Sequence, residues 1–301
     1  MNDESSAYAL DKRWIRRSFD RASTTYDTAA VLQGEVREHL LSRLDSTNCS
    51  PRVVIDAGTG TGHASRELKR RFPNATVIAV DFAFGMLRAA ARQQSWRRRF
   101  LRLCADVERL PLADHSVDLI LSNFMLPWSD PDVVFKELRR VLAPQGTLSF
   151  TTLGPDTLRE LRAAWLGARP PYADAHTRVS LFIDMHDLGD SLVRAGFASP
   201  VLDVERYTLA YSDVRRLAAD LKAVGARNAT AGRPRGLTGP RKFAAMQAAY
   251  ETYRTDGRLP ATYEVVFGRA FAPAKSTPGP PPPIHVPLDE IKRQLRRRHG
   301  P

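Results

Sequence analysis

Asp56, Gly58, Gly60 and Gly62, spelled D-A-G-T-G-T-G, bring an acid and three glycines together where an apolar run gives way to a helical pattern. Glycines at a strand-to-helix turn let the backbone approach a ligand beside a helix N-terminus. The dinucleotide fingerprint is GxGxxG with the helix dipole on a pyrophosphate. Here the pattern is GxGxG behind an acid, which repels pyrophosphate and attracts an ammonium. A tight turn that binds nothing would give the same lone motif, so other residues must decide.

Two further acids do so. Asp81 ends the next apolar run, TVIAVD, where a carboxylate can take both hydroxyls of a ribose. Asp106 ends a third, in C-A-D-V-E-R-L-P-L, placed to accept the exocyclic amine of an adenine. Each acid alone could be a helix N-cap. Three at the carboxyl ends of successive strands share one rim, where open α/β sheets bind ligands. Ammonium, ribose and adenine together describe S-adenosyl-L-methionine.

The elements that must position them alternate. VVIDA (53–57), TVIAVD (76–81) and FLRLCAD (100–106) read as strands, separated by helices over 63–72 and 86–94. Short, nearly all-apolar strands between amphipathic helices imply a parallel sheet covered on both faces. VDLILSN (117–123) and GTLSFTTL (146–153) add strands around a helix at 132–142, followed by helices near 156–166 and 185–195 and a strand near 201–211. One long helix is expected over 9–44. Between that strand and the last, 262–272, residues 213–256 break the rhythm with two helical stretches that read as an inserted lid. The expected organisation is an N-terminal helical segment (1–50), an α/β domain (51–272) and a Pro-rich basic tail (273–301), whose PGPPPP stretch cannot join a sheet and reads as disordered.

The balance of 45 basic against 33 acidic residues gives a net charge of +12, unevenly spread. Phe82 to Ala105 holds six arginines and no acid, and Arg206 to Arg258 holds eleven basic and four acidic residues. Such surfaces attract nucleic acid, anionic membrane or an acidic protein, or are simply solvated. Two cysteines without a CxxC exclude a disulfide framework and a thiolate zinc site, and the seven histidines form no HExxH, so no metal is expected. Cys104, within a strand pattern, reads as a buried small hydrophobe. No apolar run of membrane-spanning length and no leader pattern occur, which points to the cytoplasm.

VVIDAGTGTG, VIAVDFAFGML, CADVERLPL and VDLILSN resemble the successive motifs of class I S-adenosylmethionine-dependent methyltransferases. SFDRASTTYDTAAVLQ, SNFMLPW, FTTLGPDTLREL, LKAVGARNATAGRPRGLTG and RLPATYEVVFGRAFAP resemble more narrowly the malonyl-acyl carrier protein O-methyltransferase family of biotin synthesis. Thr59 and Thr61 stand where family members often carry Cys and Pro, and Pro127 where many carry Gln.

The resemblance implies a seven-stranded, mostly parallel Rossmann-like sheet with N-terminal helices and a lid between the last two strands. It implies a cofactor site of Asp56, Ala57, Gly58, Gly60, Gly62, Asp81, Phe82, Asp106, Val107, Ser122 and Asn123. It implies methylation of a malonyl carboxylate presented on an acidic acyl carrier protein, or on coenzyme A as malonyl-CoA. That carboxylate is ionised at neutral pH, so no general base is needed; proximity and desolvation would do the work. Tyr26 and Gln33, in Y-D-x-A-A-x-L-Q, would lie near the methionine moiety or the acceptor, and Trp128 would wall the acceptor pocket. Both aromatics could also be packing residues. Arg227, Arg233 and Arg235 are the candidates to hold the malonyl carboxylate, with contacts to the carrier or to solvent as the rival role. A small-molecule carboxyl methyltransferase and a non-methylating respiratory-complex assembly factor on the same fold are the competing functions. Nucleic acid ranks lower, because no recognised RNA-binding module accompanies the domain.

Overall fold

Val54, Ile55, Val77, Val80, Ile120 and Leu121 are almost wholly buried, and the apolar runs that hold them form the centre of one sheet. The computed structural model describes residues 10–44, 50–167, 178–230, 233, 236 and 238–274. Its strands are β1 (Val53–Ala57), β2 (Thr76–Asp81), β3 (Leu101–Cys104), β4 (Val117–Asn123), β5 (Leu142–Leu153), β6 (Ala198–Tyr211) and β7 (Leu259–Phe271), in the spatial order 3-2-1-4-5-7-6. β1 to β5 pair in parallel, and β7 runs antiparallel to both β5 and β6. The seven-stranded, mostly parallel sheet expected from the sequence is the one observed.

The helices are α1 (Lys12–Ala22), α2 (Tyr26–Ala29), α3 (Val31–Ser42), α4 (His63–Arg71), α5 (Phe84–Gln93), α6 (Pro131–Val141), α7 (Arg159–Gly167), α8 (Met185–Arg194), α9 (Val214–Ala223) and α10 (Pro240–Glu251). One core packs α3, α4, α7, α9 and α10 on one side of the sheet, through Leu40, Leu68, Ala164, Leu217 and Tyr250. The other packs α6 and α8 through Phe135, Leu138, Leu188 and Leu192. There Phe135 and Phe150 meet with ring centroids 5.4 Å apart. Truncating such a fully buried ring costs about 3–5 kcal/mol. The chain leaves β1 for β2 on one side and returns to β4 on the other, so the carboxyl ends of these strands open a crevice at the switch point.

Several local expectations are corrected. The single helix over 9–44 is three. The Ser23 and Thr25 hydroxyls donate back to the carbonyls of Asp20 and Ala22, closing α1, and the chain re-enters helix at Tyr26 and again at Val31. Cys104 is exposed rather than buried, because β3 is an edge strand and pairs only with β2. β3 also ends before Asp106, which therefore sits in the turn that follows. β5 starts at Leu142 and β7 at Leu259, both earlier than their apolar patterns suggest. α9 and α10 lie between β6 and β7. Arg235, Cys49 and the segment from residue 275 onward lie outside the described residues. Among the described residues no helix is long and apolar enough to cross a membrane, and no group of three or more His, Cys, Asp or Glu side chains could hold a metal.

Candidate active site

β1 delivers the chain into the glycine turn. Gly58 has φ +76°, and a Cβ there would lie 2.6 Å from the Met125 Cβ; Gly62 has φ +81°, and a Cβ would meet Ala90 at 2.8 Å. No L side chain fits either place without displacing its neighbour. The amides of Gly58 and Thr59 both donate to the Val80 carbonyl at 2.9 Å, pinning the turn to β2. Asp56 is only 1% exposed and does not reach the crevice. Its Oδ2 accepts from Thr59 Oγ and Ser65 Oγ, each at 2.6 Å, so the acid staples the turn from behind. Asp56, expected at the ammonium, is held by these two hydroxyls and is not among the lining residues. Burial pushes its pKa up, and the hydroxyl donors pull against that.

Asp81 does line the crevice. Its Oδ2 accepts from Gly60 N at 2.9 Å and its Oδ1 from Ala83 N at 2.8 Å. Burial, reinforced by Asp56 and Asp20, outweighs these donors and pushes the carboxyl up to about 6. Phe82, Asp106, Val107 and Asn123 continue the wall. Lys12 reaches Asp106 at 3.2 Å and Glu108 at 2.7 Å, so the third acid is paired. Asn123 holds α3 in place by donating to Gln33 O at 3.0 Å. Ser122 and Ala57 lie behind the wall, with Ser122 Oγ donating to Ala57 O at 3.0 Å.

The N-terminal helices roof the crevice. Tyr26 lines it, and burial followed by the nearby Asp81 charge pushes its phenol well above the ordinary range. The adjacent Asp27 fastens α2 to the glycine turn, its Oδ1 accepting from Thr61 Oγ at 2.6 Å with His63 at 3.3 Å. Thr59 and Thr61, the departures from the family pattern, are both used as local hydroxyl donors. Trp128 meets Phe19 edge-on at 5.2 Å, and with Pro127 and Met125 they form an apolar flank.

The crevice continues between β6, β7 and α9, giving about 1480 Å³ of empty space including its open mouth. Tyr211, Tyr263 and Asp220 line that far end, joined by hydrogen bonds, and burial raises both phenols. Arg178 lines it too. Its guanidinium stacks over Trp165 at 4.9 Å and donates to Thr238 Oγ at 2.5 Å, with no carboxylate in ion-pair range among the described residues. Among the described residues Lys12 and Arg178 are the cations of the lining, and of the two Lys12 has carboxylate partners. Arg233 is not in the lining; it binds Asp11 at 3.0 Å and lies 4.9 Å over Trp14. Arg227 faces the same ring at 6.0 Å. The sequence reading named Tyr26, Gln33, Gly58, Gly60, Asp81, Phe82, Asp106, Val107, Asn123 and Trp128 among the lining residues. It missed Lys12, Phe19, Arg178, Tyr211 and Tyr263.

A glycine turn closed to a Cβ at Gly58 and Gly62, a wall acid on the neighbouring strand hydrogen-bonded to that turn, and a switch-point crevice fit an adenosyl ligand with a charged methionine end. Residues 55–150 match the family model described as a methyltransferase domain. The fold matches the YcgJ protein of Bacillus subtilis (TM-score 0.54, 16% identity, 78% of this chain and 97% of that one). It also matches a SAM-dependent methyltransferase of Thermotoga maritima (TM-score 0.50, 18% identity, 87% and 100% covered). Fold and site together define an S-adenosylmethionine-dependent methyltransferase of class I. The chain is 53% identical to the malonyl-[acyl-carrier protein] O-methyltransferase of Methylovorus sp. (89% of this chain, 91% of that one) and 51% identical to that of Laribacter hongkongensis (89% and 92%). It belongs to the malonyl-[acyl-carrier protein] O-methyltransferase family.

Proposed function

We propose that this enzyme methylates the free carboxylate of malonyl-acyl carrier protein. The carboxylate oxygen forms a bond to the methyl carbon as the sulfur–methyl bond breaks, giving a methyl ester and S-adenosylhomocysteine. S-adenosylmethionine supplies an electrophilic methyl on a sulfonium. The chain's own residues supply position and a dry, shaped space. One observation carries the substrate assignment: the acceptor end of the crevice is walled mostly by aromatic and apolar side chains, with Asp220, and among the described residues Arg178 is the cation there without a carboxylate partner. A guanidinium fixed by stacking and by a hydroxyl suits one carboxylate in a set orientation.

On this reading Asp81 accepts the ribose hydroxyls, Asp106 meets the adenine amine, and the Gly58–Gly60 turn lies along the methionine portion. Tyr26 and Trp128 bound the reacting centre and exclude water. Removing the malonyl charge makes the group resemble an ordinary acyl chain, which accords with an entry step to biotin synthesis. A reducing cytoplasm suits the exposed, unpaired Cys104. Kinetics of Arg178→Ala with malonyl carrier, beside calorimetry of donor binding, test the acceptor assignment. Loss of methylation with donor binding intact supports it; wild-type turnover overturns it.

A further inference from the structure

α1 divides its residues sharply between two sides. Ile15, Ser18 and Ala22 are buried, while Lys12 and Phe19 face the crevice. Its one acid, Asp20, is turned to α5 and accepts from Gly85 N at 2.8 Å. Arg13, Arg16, Arg17 and Arg21 occupy the exposed side, and none bonds or pairs with another described residue. Arg13, Arg17 and Arg21 are spaced four apart, a like-charge arrangement that weakens a free helix. Elsewhere Arg70, Arg140, Arg194 and Arg254 each hold a carboxylate.

α5 abuts this helix so closely that a Cβ at Gly85 would lie 2.9 Å from the Asp20 carbonyl oxygen. The preceding Phe84 is 56% exposed at the seam, and Arg88 is exposed one turn further on. An exposed aromatic among unpaired guanidinium groups has the composition of a protein-docking patch, and its charge calls for an acidic partner. The crevice lies behind α1, about 10 Å away, the thickness of one helix.

We propose that the exposed side of α1, with Phe84 and Arg88 of α5, docks the acidic protein that carries the acyl substrate, in place of the lid arginines. This rests on the carrier-borne acceptor proposed above. Steering by such a face raises the encounter rate and weakens with salt, leaving the chemical step unchanged.

The test compares Arg13→Glu/Arg17→Glu/Arg21→Glu with Arg97→Glu/Arg98→Glu/Arg99→Glu, an equal charge change on exposed arginines beyond α5. Each is assayed with malonyl carrier protein and with malonyl-CoA, after a thermal melt. The first variant should raise KM for the carrier at low salt by about tenfold or more, with kcat and all malonyl-CoA kinetics unchanged. The second should behave as wild type. An Arg→Gln triple variant at the α1 positions should fall between. Unchanged carrier kinetics in the α1 variant would overturn the docking face and leave methylation of the carrier standing. Equal losses on malonyl-CoA, or an equal defect in the control variant, would overturn it too, showing distortion or bulk charge instead. Wild-type enzyme inactive on the carrier would remove the reading beneath it.

Discussion

Arg233 and Asp11, 222 residues apart in the chain, form a partly buried ion pair of 3.0 Å that ties the inserted segment to the start of α1. The same junction carries a bond from Asp11 N to Ala229 O at 2.9 Å and a bridge between Leu10 and Thr230. Thr25 Oγ also donates to Ala223 O at 3.0 Å. The N-terminal helices and the segment between β6 and β7 therefore form one cover over the crevice.

Breaking the pair should loosen that cover. Arg233→Ala and Asp11→Asn, the latter keeping an oxygen to cap α1, should lower stability by similar amounts, on the order of 1 kcal/mol. The double variant should be little worse than either single one. Thermal melts and a double-mutant cycle read this. Turnover abolished by Arg233→Ala but untouched by Asp11→Asn would return Arg233 to the substrate carboxylate.

Arg178→Ala should cut kcat/KM for the malonyl acceptor by roughly 10- to 100-fold, the worth of a charged hydrogen bond or two. The dissociation constant for S-adenosylmethionine, from calorimetry, should not change. Arg178→Lys should recover only part of the loss, since an ammonium cannot reproduce the stacked fork.

The carboxyl of Asp81 carries a pKa of about 6, raised by burial. The folded protein then holds a proton that the unfolded chain has lost between its ordinary value of 3.8 and about 6. Asp81 thus contributes a stability that is present at low pH and declines as pH rises through that window. Donor binding favours the ionised form, so S-adenosylmethionine affinity should fall as pH drops below about 6. Asp81→Ala should weaken binding at pH 7.5 more than Asp106→Ala, and should flatten the pH profile. Calorimetry between pH 5 and 8 checks both.

Asp56 offers a contrasting case. Asp56→Ala would remove the shared acceptor of the Thr59 and Ser65 hydroxyls, which lie 2.9 Å apart, so that one could still donate to the other and one donor would be left unsatisfied in the core, at a cost of about 1–3 kcal/mol. Its main effect should be a lowered melting temperature with a slackened glycine turn. A variant of unchanged stability that bound the donor poorly would show direct contact instead.

Local pattern carried the sheet, because buried parallel strands announce themselves as short apolar runs, and it carried Gly58, Gly60 and Asp81 to the crevice, because the carboxyl ends of adjacent parallel strands share one rim. Cys104 was misread because nothing in LRLC says that its strand lies at the sheet edge. The hold of Thr59 and Ser65 on Asp56 lies only three and nine residues along the chain, yet the motif alone did not show it. Arg178 depends on Trp165 and on Thr238, 60 residues away, and Arg233 on Asp11. Partners brought together only by the finished fold leave no trace in spacing.

The most direct measurement is transfer of label from methyl-labelled S-adenosylmethionine to purified malonyl-acyl carrier protein. The expected result is base-labile label on the carrier, absent with acetyl carrier and strongly reduced by Arg178→Ala. No base-labile label on malonyl carrier, from an enzyme that binds the donor, would contradict the proposed function.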